Sequence, residues 1–257
     1  MVEAVRQRQE RLLALLDERG ELDVPSLVRE LNASEATLRR DLAALEEAGQ
    51  LVRTFGGARS LGASSLVGRT FGEKRRRMRK EKEAIGRSAA CMVEPGMVVA
   101  LDSGTTVWRI AACLRDIPDL KIITTAMAAV EELGPSGKHS VLLAGGTFRL
   151  KNLDFAGPST IAQLGTVRAD IAFVGADSFV PGRGAFSVDE TSAALAAALA
   201  RCADHRVLVM DHSKFGASGS HLILAPAEID CLITDSGLAA PLRSRIEEDP
   251  YKVILAD

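Results

Sequence analysis

The chain has 257 residues, 47% of them hydrophobic and 26% charged, with a formal net charge of −2 at pH 7. This length and apolar content suit one large domain plus one small one, while the slightly acidic balance excludes simple electrostatic adhesion to nucleic acid. No apolar run approaches the roughly 20 residues of a membrane span, and residues 1–4 open a charged helix, not a secretory signal, so a cytoplasmic protein without a membrane partner is expected.

In chain order, Leu12, Leu13 and Leu16 supply the apolar stripe of a first helix. Pro25 sits just inside the start of a second, whose apolar residues are Leu27, Val28 and Leu31. Ala33 and Ser34 form a short turn, with Ser34 in the N-cap position of a third helix. At about 100° per residue, that helix turns Leu38, Leu42 and Leu45 to one side and Ala36, Thr37, Arg39 and Arg40 to the other. Taken alone, such a helix could equally be a surface helix with solvated arginines. Two helices, a tight turn and a polar-faced third helix in this order read instead as helix-turn-helix. Residues 51–55 followed by Gly56-Gly57 then read as a strand and glycine turn, the shape of a wing.

Residues 58–68 are rich in glycine and serine and form a natural flexible linker. Residues 1–60 carry nine basic and eleven acidic side chains, so the head is not a basic patch. Residues 69–87 carry nine Lys or Arg against three Glu, and the rest of the chain has 14 basic and 20 acidic side chains. The run Lys74 to Lys80 reads either as a solvated face or as a phosphate-tracking linker helix.

From Lys82 onward, short apolar runs alternate with alanine-rich helical stretches, the pattern of an α/β domain with a largely parallel sheet. Strands are predicted over residues 97–101, 121–124, 141–144, 171–174, 207–210, 231–234 and 253–255, with helices filling the gaps. In such sheets a ligand sits beyond the carboxyl ends of the strands. There the sequence places Asp102-Ser103-Gly104-Thr105-Thr106 before a helix over residues 107–114. Its glycine, three hydroxyls and helix-start amides make a site for a phosphate group, or else a plain helix cap. Further strand-end loops carry Thr124-Thr125, Gly145-Gly146-Thr147, Gly175-Ala176-Asp177 and Asp211-His212-Ser213-Lys214. Lys214 is the candidate for anion pairing, and Asp102 and Asp177 for holding sugar hydroxyls, with capping as the alternative for each aspartate.

Cys91, Cys113, Cys202 and Cys231 are scattered, which points to buried reduced thiols and not to a disulfide framework or zinc site. The four histidines lack ligand-like spacing, and no Gly-x-Gly-x-x-Gly stands at a strand-to-helix turn. Neither a metal nor a cofactor is expected.

Residues 8–57 resemble the winged helix-turn-helix head of the DeoR-type bacterial repressors, in which Ser-x-x-Thr-hydrophobic-Arg-Arg-Asp-Leu leads to a wing ending in Gly-Gly-Ala. Here these are Ser34 to Leu42 and Gly56-Gly57-Ala58. Residues 81–236 resemble the family's effector-sensing domain through Glu81-Lys82-x-x-Ile85, Asp102-x-Gly104-Thr105-Thr106, Gly145-Gly146, Gly175-Ala176-Asp177, Asp211-x-Ser213-Lys214-Phe215-Gly216 and Thr234-Asp235. Thr125 stands where the family usually has Asn, and Lys74 where it usually has Arg.

The resemblance implies a winged helix-turn-helix domain over residues 1–57, a flexible then basic linker over 58–80, and an α/β effector-sensing and oligomerisation domain over 81–257, related in fold to ribose-5-phosphate isomerase. It implies Ser34, Glu35, Thr37, Arg39 and Arg40 at the DNA, with Arg53 near a phosphate. For the effector it implies Asp102, Ser103, Gly104, Thr105, Thr106, Thr124, Gly145, Gly146, Asp177 and Lys214. The expected function is a homodimeric or larger repressor of carbohydrate genes, binding double-stranded operator DNA under control of a phosphorylated sugar. The alternative is a sugar-phosphate isomerase with a DNA-binding appendage, for which Asp189 and Glu190 would be the candidate carboxylates. Against it, residues 178–184 carry no carboxylate or lysine.

Overall fold

A computed structural model describes residues 2–19, 21–47, 50–59 and 71–257, and the chain divides into two compact units, Met1–Ser65 and Leu66–Asp257. The first contains α1 (Val2–Arg19), β1 (Glu21–Asp23), α2 (Val24–Leu31), α3 (Glu35–Glu47), β2 (Val52–Thr54) and β3 (Gly57–Arg59). Leu12, Leu16, Leu27, Leu38, Leu42, Leu45 and Leu51 are buried together in its core. Asp23 starts α2, accepting a hydrogen bond from the Ser26 amide at 2.8 Å, and Pro25 lies in the first turn. Asn32, in the left-handed conformation with φ 47°, ends it.

Ser34 Oγ accepts from the Thr37 amide at 3.3 Å and so caps α3. Buried Asp41 ties α3 to α1, accepting from Arg8 Nε at 2.5 Å and Gln9 Nε2 at 3.2 Å. The wing is a β2–β3 hairpin joined by β1 in an antiparallel sheet of order β1-β3-β2. Strand β1 escaped the sequence reading because three residues, Glu-Leu-Asp, show no period. Gly57 is required there, since a Cβ would lie 2.8 Å from the Asp23 Cα. Of the expected linker, Ala58 and Arg59 belong to β3, and residues 60–68 lie outside the described residues.

The second unit runs through α4 (Phe71–Arg76), α5 (Arg79–Ala90), β4 (Val98–Leu101), α6 (Thr105–Leu114), β5 (Lys121–Thr124), α7 (Met127–Leu133), β6 (Ser140–Leu143), β7 (Thr147–Arg149), β8 (Asp154–Ala156) and α8 (Pro158–Leu164). It continues with β9 (Ala169–Gly175), β10 (Ser178–Val180), β11 (Gly184–Ser187), α9 (Glu190–Arg201), β12 (Ala203–Val209), β13 (His221–Leu224), β14 (Cys231–Asp235), α10 (Ala240–Glu247) and β15 (Lys252–Ala256).

Seven strands, all paired in parallel, form the central sheet in the order β15-β14-β12-β9-β4-β5-β6. They are the seven predicted from apolar runs; the central strands are covered on both faces, as such runs require, while Leu142 on the edge strand β6 is exposed. Val99, Leu101, Ile171 and Phe173 face the helical layer that contributes Ile85, Ile110 and Leu114. Ala100, Ala172, Val174 and Leu208 face the layer of Ala193, Ala196, Leu199 and Ile246. The small side chains of α9 let it lie close on the sheet.

The gaps are not filled by helices alone, contrary to expectation. A second antiparallel sheet, β10-β11-β13, and the β7–β8 hairpin occupy several of them. Three- and four-residue strands separated by Pro181-Gly182-Arg183 carry too little pattern to be recognised. The chain also reverses its winding direction between β4 and β9. The loops after these two strands therefore diverge and open a crevice at the carboxyl end of the sheet.

Candidate functional site

In the head, Ser34 and Glu35 are exposed at the start of α3, and exposed Arg39 and Arg40 and half-buried Thr37 turn away from its buried leucines. Ser34 Oγ and Thr37 Oγ1 are 2.8 Å apart. Arg39 pairs with Glu35 one turn earlier at 2.6 Å. Arg53 is exposed on β2, and its amide donates to Glu46 Oε1 at 3.3 Å.

In the second unit, a cleft of about 120 Å³ opens at the reversal point, room for roughly ten atoms of ligand or water at about 10–15 Å³ each. Of the effector residues expected from the sequence, Asp102, Ser103, Gly104, Thr105, Thr106, Asp177 and Lys214 line it. Gly104 precedes α6 with φ 129°, a conformation open to glycine, and no side chain among the described residues caps the helix. Its first amides and the residues Thr105 and Thr106 thus stand at the cleft wall.

Asp102 fastens the two diverging loops together. Its Oδ1 accepts from the Ser103 amide at 2.7 Å and its Oδ2 from the Gly175 amide at 3.1 Å. Burial pushes this carboxyl up to about 7, against the opposing effect of those two bonds. Asp177 accepts from Ser187 Oγ at 2.9 Å and from the Val188 amide at 3.2 Å. Lys214, on the one-turn helix His212–Lys214, makes no side-chain hydrogen bond or ion pair among the described residues. Burial, moderated by Asp211 and Asp177, lowers its ammonium from the usual lysine range.

Thr124, Gly145 and Gly146 do not reach the cleft. Strands β5 and β6 lie on the far side of β4 from the reversal point, so their loops end elsewhere. Thr124 is fully buried, donating to the Leu101 carbonyl at 2.7 Å. The Gly145 carbonyl accepts from Thr160 Oγ1 at 2.9 Å, and a Cβ on Gly146 would meet the Ala156 carbonyl at 2.8 Å. These loops are packed against α8. Asp189 caps α9 through the Ser192 amide at 2.8 Å and pairs with Arg149 at 3.1 Å, while Glu190 is exposed in the first turn. Neither lines the cleft.

The sequence reading missed the wall formed by Phe71, Lys74, Arg77, Met78 and Lys82. The basic run is not a linker here. It folds as α4 and α5, broken at Met78 (φ 48°). Lys82 is 4% exposed and donates to the Lys74 and Arg77 carbonyls at 2.8 and 2.7 Å. Burial lowers it to about 8, against the pull of Asp211. Lys82, Ile85 and Ala89 share one helical face, and a lysine on an apolar stripe was the available signal.

Cys202 and Cys231 are buried, Cys113 half-buried and Cys91 exposed, so the expectation of four buried thiols holds for two. Among the described residues no group of His, Cys, Asp or Glu is arranged to hold a metal, and no helix is long and apolar enough to cross a membrane.

Residues 8–63 match the DeoR-like helix-turn-helix domain and residues 77–236 the DeoR C terminal sensor domain. The chain is 31% identical over 248 residues to the HTH-type transcriptional repressor CsqR of Escherichia coli (strain K12), covering 96% of this chain and 94% of that one. It is 30% identical to the HTH-type transcriptional regulator GolR of Listeria innocua, covering 98% of each. Ribose 5-phosphate isomerase A of Methanocaldococcus jannaschii is similar at 18% identity and a TM-score of 0.39, over 52% of this chain and 53% of that one. With two family domains in order along one chain and full-length regulators as relatives, the protein belongs to the DeoR family of helix-turn-helix transcriptional regulators.

Proposed function

We propose that the protein represses carbohydrate-metabolism genes and that a phosphorylated sugar or a related metabolite, held in the cleft, sets its affinity for operator DNA. The observation that carries this reading is the convergence, in one crevice, of a helix N-terminus and a Lys214 ammonium that have no side-chain partner among the described residues, with the carboxyl groups of Asp102 and Asp177. The first two suit a phosphate dianion; carboxylates suit sugar hydroxyls. Ser34, Glu35, Thr37, Arg39, Arg40 and Arg53 are the proposed DNA-facing residues, and Lys214 with Asp102 to Thr106 and Asp177 the proposed effector set. Paired heads in a dimer or larger assembly would read inverted half-sites about 34–36 Å apart or a multiple of that.

A thermal-shift screen of phosphosugars against the full chain and Lys214→Ala tests the sensing half. A true effector at 100 times its dissociation constant adds about 2.7 kcal/mol to the wild type. It adds far less to the variant. Equal shifts in both proteins remove Lys214 from the site, and no shift with any phosphosugar overturns the reading.

A further inference from the structure

The cleft has a wall that the strand-end loops do not supply, and its polar groups are unevenly satisfied. Lys74 Nζ stands 3.8 Å from Asp177 Oδ1, an ion pair too long for a hydrogen bond. Lys82 Nζ spends two protons on the Lys74 and Arg77 carbonyls and stands 4.0 Å from Asp211 Oδ2. That Asp211 oxygen, on a side chain 1% exposed, has no hydrogen-bond partner among the described residues. A buried carboxylate oxygen without a donor is costly, and what satisfies it is a hydrogen-bond donor such as a ligand hydroxyl, not the anionic group itself. The Thr105 hydroxyl donates to the Lys74 carbonyl at a long 3.4 Å. The helix start that would hold an oxyanion and the residue Lys74 are thus already in contact.

Charge points the same way. Lys74, Lys82, Lys214 and Arg77 line the cleft against Asp177, Asp211 and Asp102, whose carboxyl burial pushes up to about 7. Lys74 and Arg77 are among the charges that disfavour the ionised form of Lys214. Such crowding of cations is relieved by an anion placed among them.

We propose that Lys74 is itself a ligand-holding residue, gripping the anionic group of the effector opposite Lys214, so that occupancy clamps α4 onto the sensor unit. The inference rests on the cleft being an oxyanion site and adds the segment that reads its occupancy. Other contacts on α4 lie at its first turn and its outer side: the Phe71 amide donates to the Lys151 carbonyl at 2.9 Å, the Phe71 ring meets Trp108 edge-on at 6.3 Å, and the Arg75 guanidinium stacks 5.2 Å from that indole. Along the chain, α4 is the first described element after the head. A ligand that fixes Lys74 therefore fixes the point where the chain enters the sensor.

Inorganic phosphate is the probe, with chloride at matched ionic strength as control. Amide hydrogen exchange is followed over residues 71–77 of the full chain, and phosphate affinity is measured by calorimetry for the wild type, Lys74→Gln, Lys74→Arg and Lys214→Gln. The expected result is slower exchange at 71–77 on adding phosphate, and affinity lowered about tenfold or more in Lys74→Gln, the scale of one charge-assisted hydrogen bond. Lys74→Arg retains binding, and Lys214→Gln loses it. Unchanged ligand-free melting of Lys74→Gln shows that the loss is not misfolding. Phosphate binding that needs Lys214 but is indifferent to Lys74→Gln, or that leaves exchange at 71–77 unaltered, overturns the role of Lys74 and leaves the cleft reading standing. A wild type that binds no phosphate overturns both.

Discussion

Arg40 and His212 are single side chains at which the two halves of the proposed function can be tested. Arg40 is exposed on the recognition face of α3, whereas neighbouring Arg39 is already paired with Glu35. Replacing Arg40 with alanine should weaken operator binding by about 1–3 kcal/mol if it reads a base edge, or lower the salt dependence by about one counterion if it meets a phosphate. Unchanged affinity and salt slope in an anisotropy titration would remove it from the interface. His212 opens the turn that presents Lys214. Its ring Nδ1 lies 2.6 Å from Asp235 Oδ1, and its amide donates to Asp235 Oδ2 at 2.8 Å. The bond to Asp235 raises the imidazole above its usual value; burial opposes this, and the charges of Asp235, Asp211 and Glu81 reinforce it. A raised folded-state value means that the pair stabilises the fold in full below the unfolded value of about 6.5, and that this stabilisation disappears as pH rises through the folded one. An NMR titration should place His212 above 6.5 in the wild type and closer to it in Asp235→Asn. A midpoint at or below 6.5 in the wild type contradicts the pairing.

The elements differ in what made them readable. Strands such as Val98–Leu101 and Cys231–Asp235 are buried on both faces, so they stand out as unbroken apolar runs, and their order along the chain reveals a parallel sheet. The head is legible because Leu38, Leu42 and Leu45 repeat at helical spacing. The wall of α4 and α5 was hidden, since a run of lysine and arginine looks the same whether it faces water or a cleft. Only the fold shows Lys82 bonded to two carbonyls. Thr124, Gly145 and Gly146 have the right chemistry for the site, but sheet order puts their loops on the wrong side of β4. Asp41 lies within the family's arginine-rich motif yet faces inward, bound to Arg8 and Gln9. Asp41→Ala should destabilise the head by about 1.5–3 kcal/mol, the range for hydrogen bonds to a charged group. A head-specific probe followed through denaturation in the full chain checks this; a variant as stable as the wild type would mean that α1 and α3 are held by their leucines alone.

For the whole molecule, regulation is a coupling between two sites on two units of one chain. An effector shifts DNA affinity only by as much as its own affinity differs between the DNA-bound and free forms, and the effect is reciprocal. The head contributes a recognition face on α3, and the sensor contributes a crevice lined by Asp102 to Thr106, Asp177, Lys214 and the unforeseen Lys74. The decisive measurement is the affinity for promoter DNA beside the protein's own gene, by fluorescence anisotropy, for the wild type and Lys214→Ala across a panel of phosphosugars. The account predicts that at least one phosphosugar changes wild-type affinity by about 5- to 150-fold and leaves that of the variant nearly unchanged. A wild type indifferent to every phosphosugar, or a variant that responds as fully as the wild type, would contradict it.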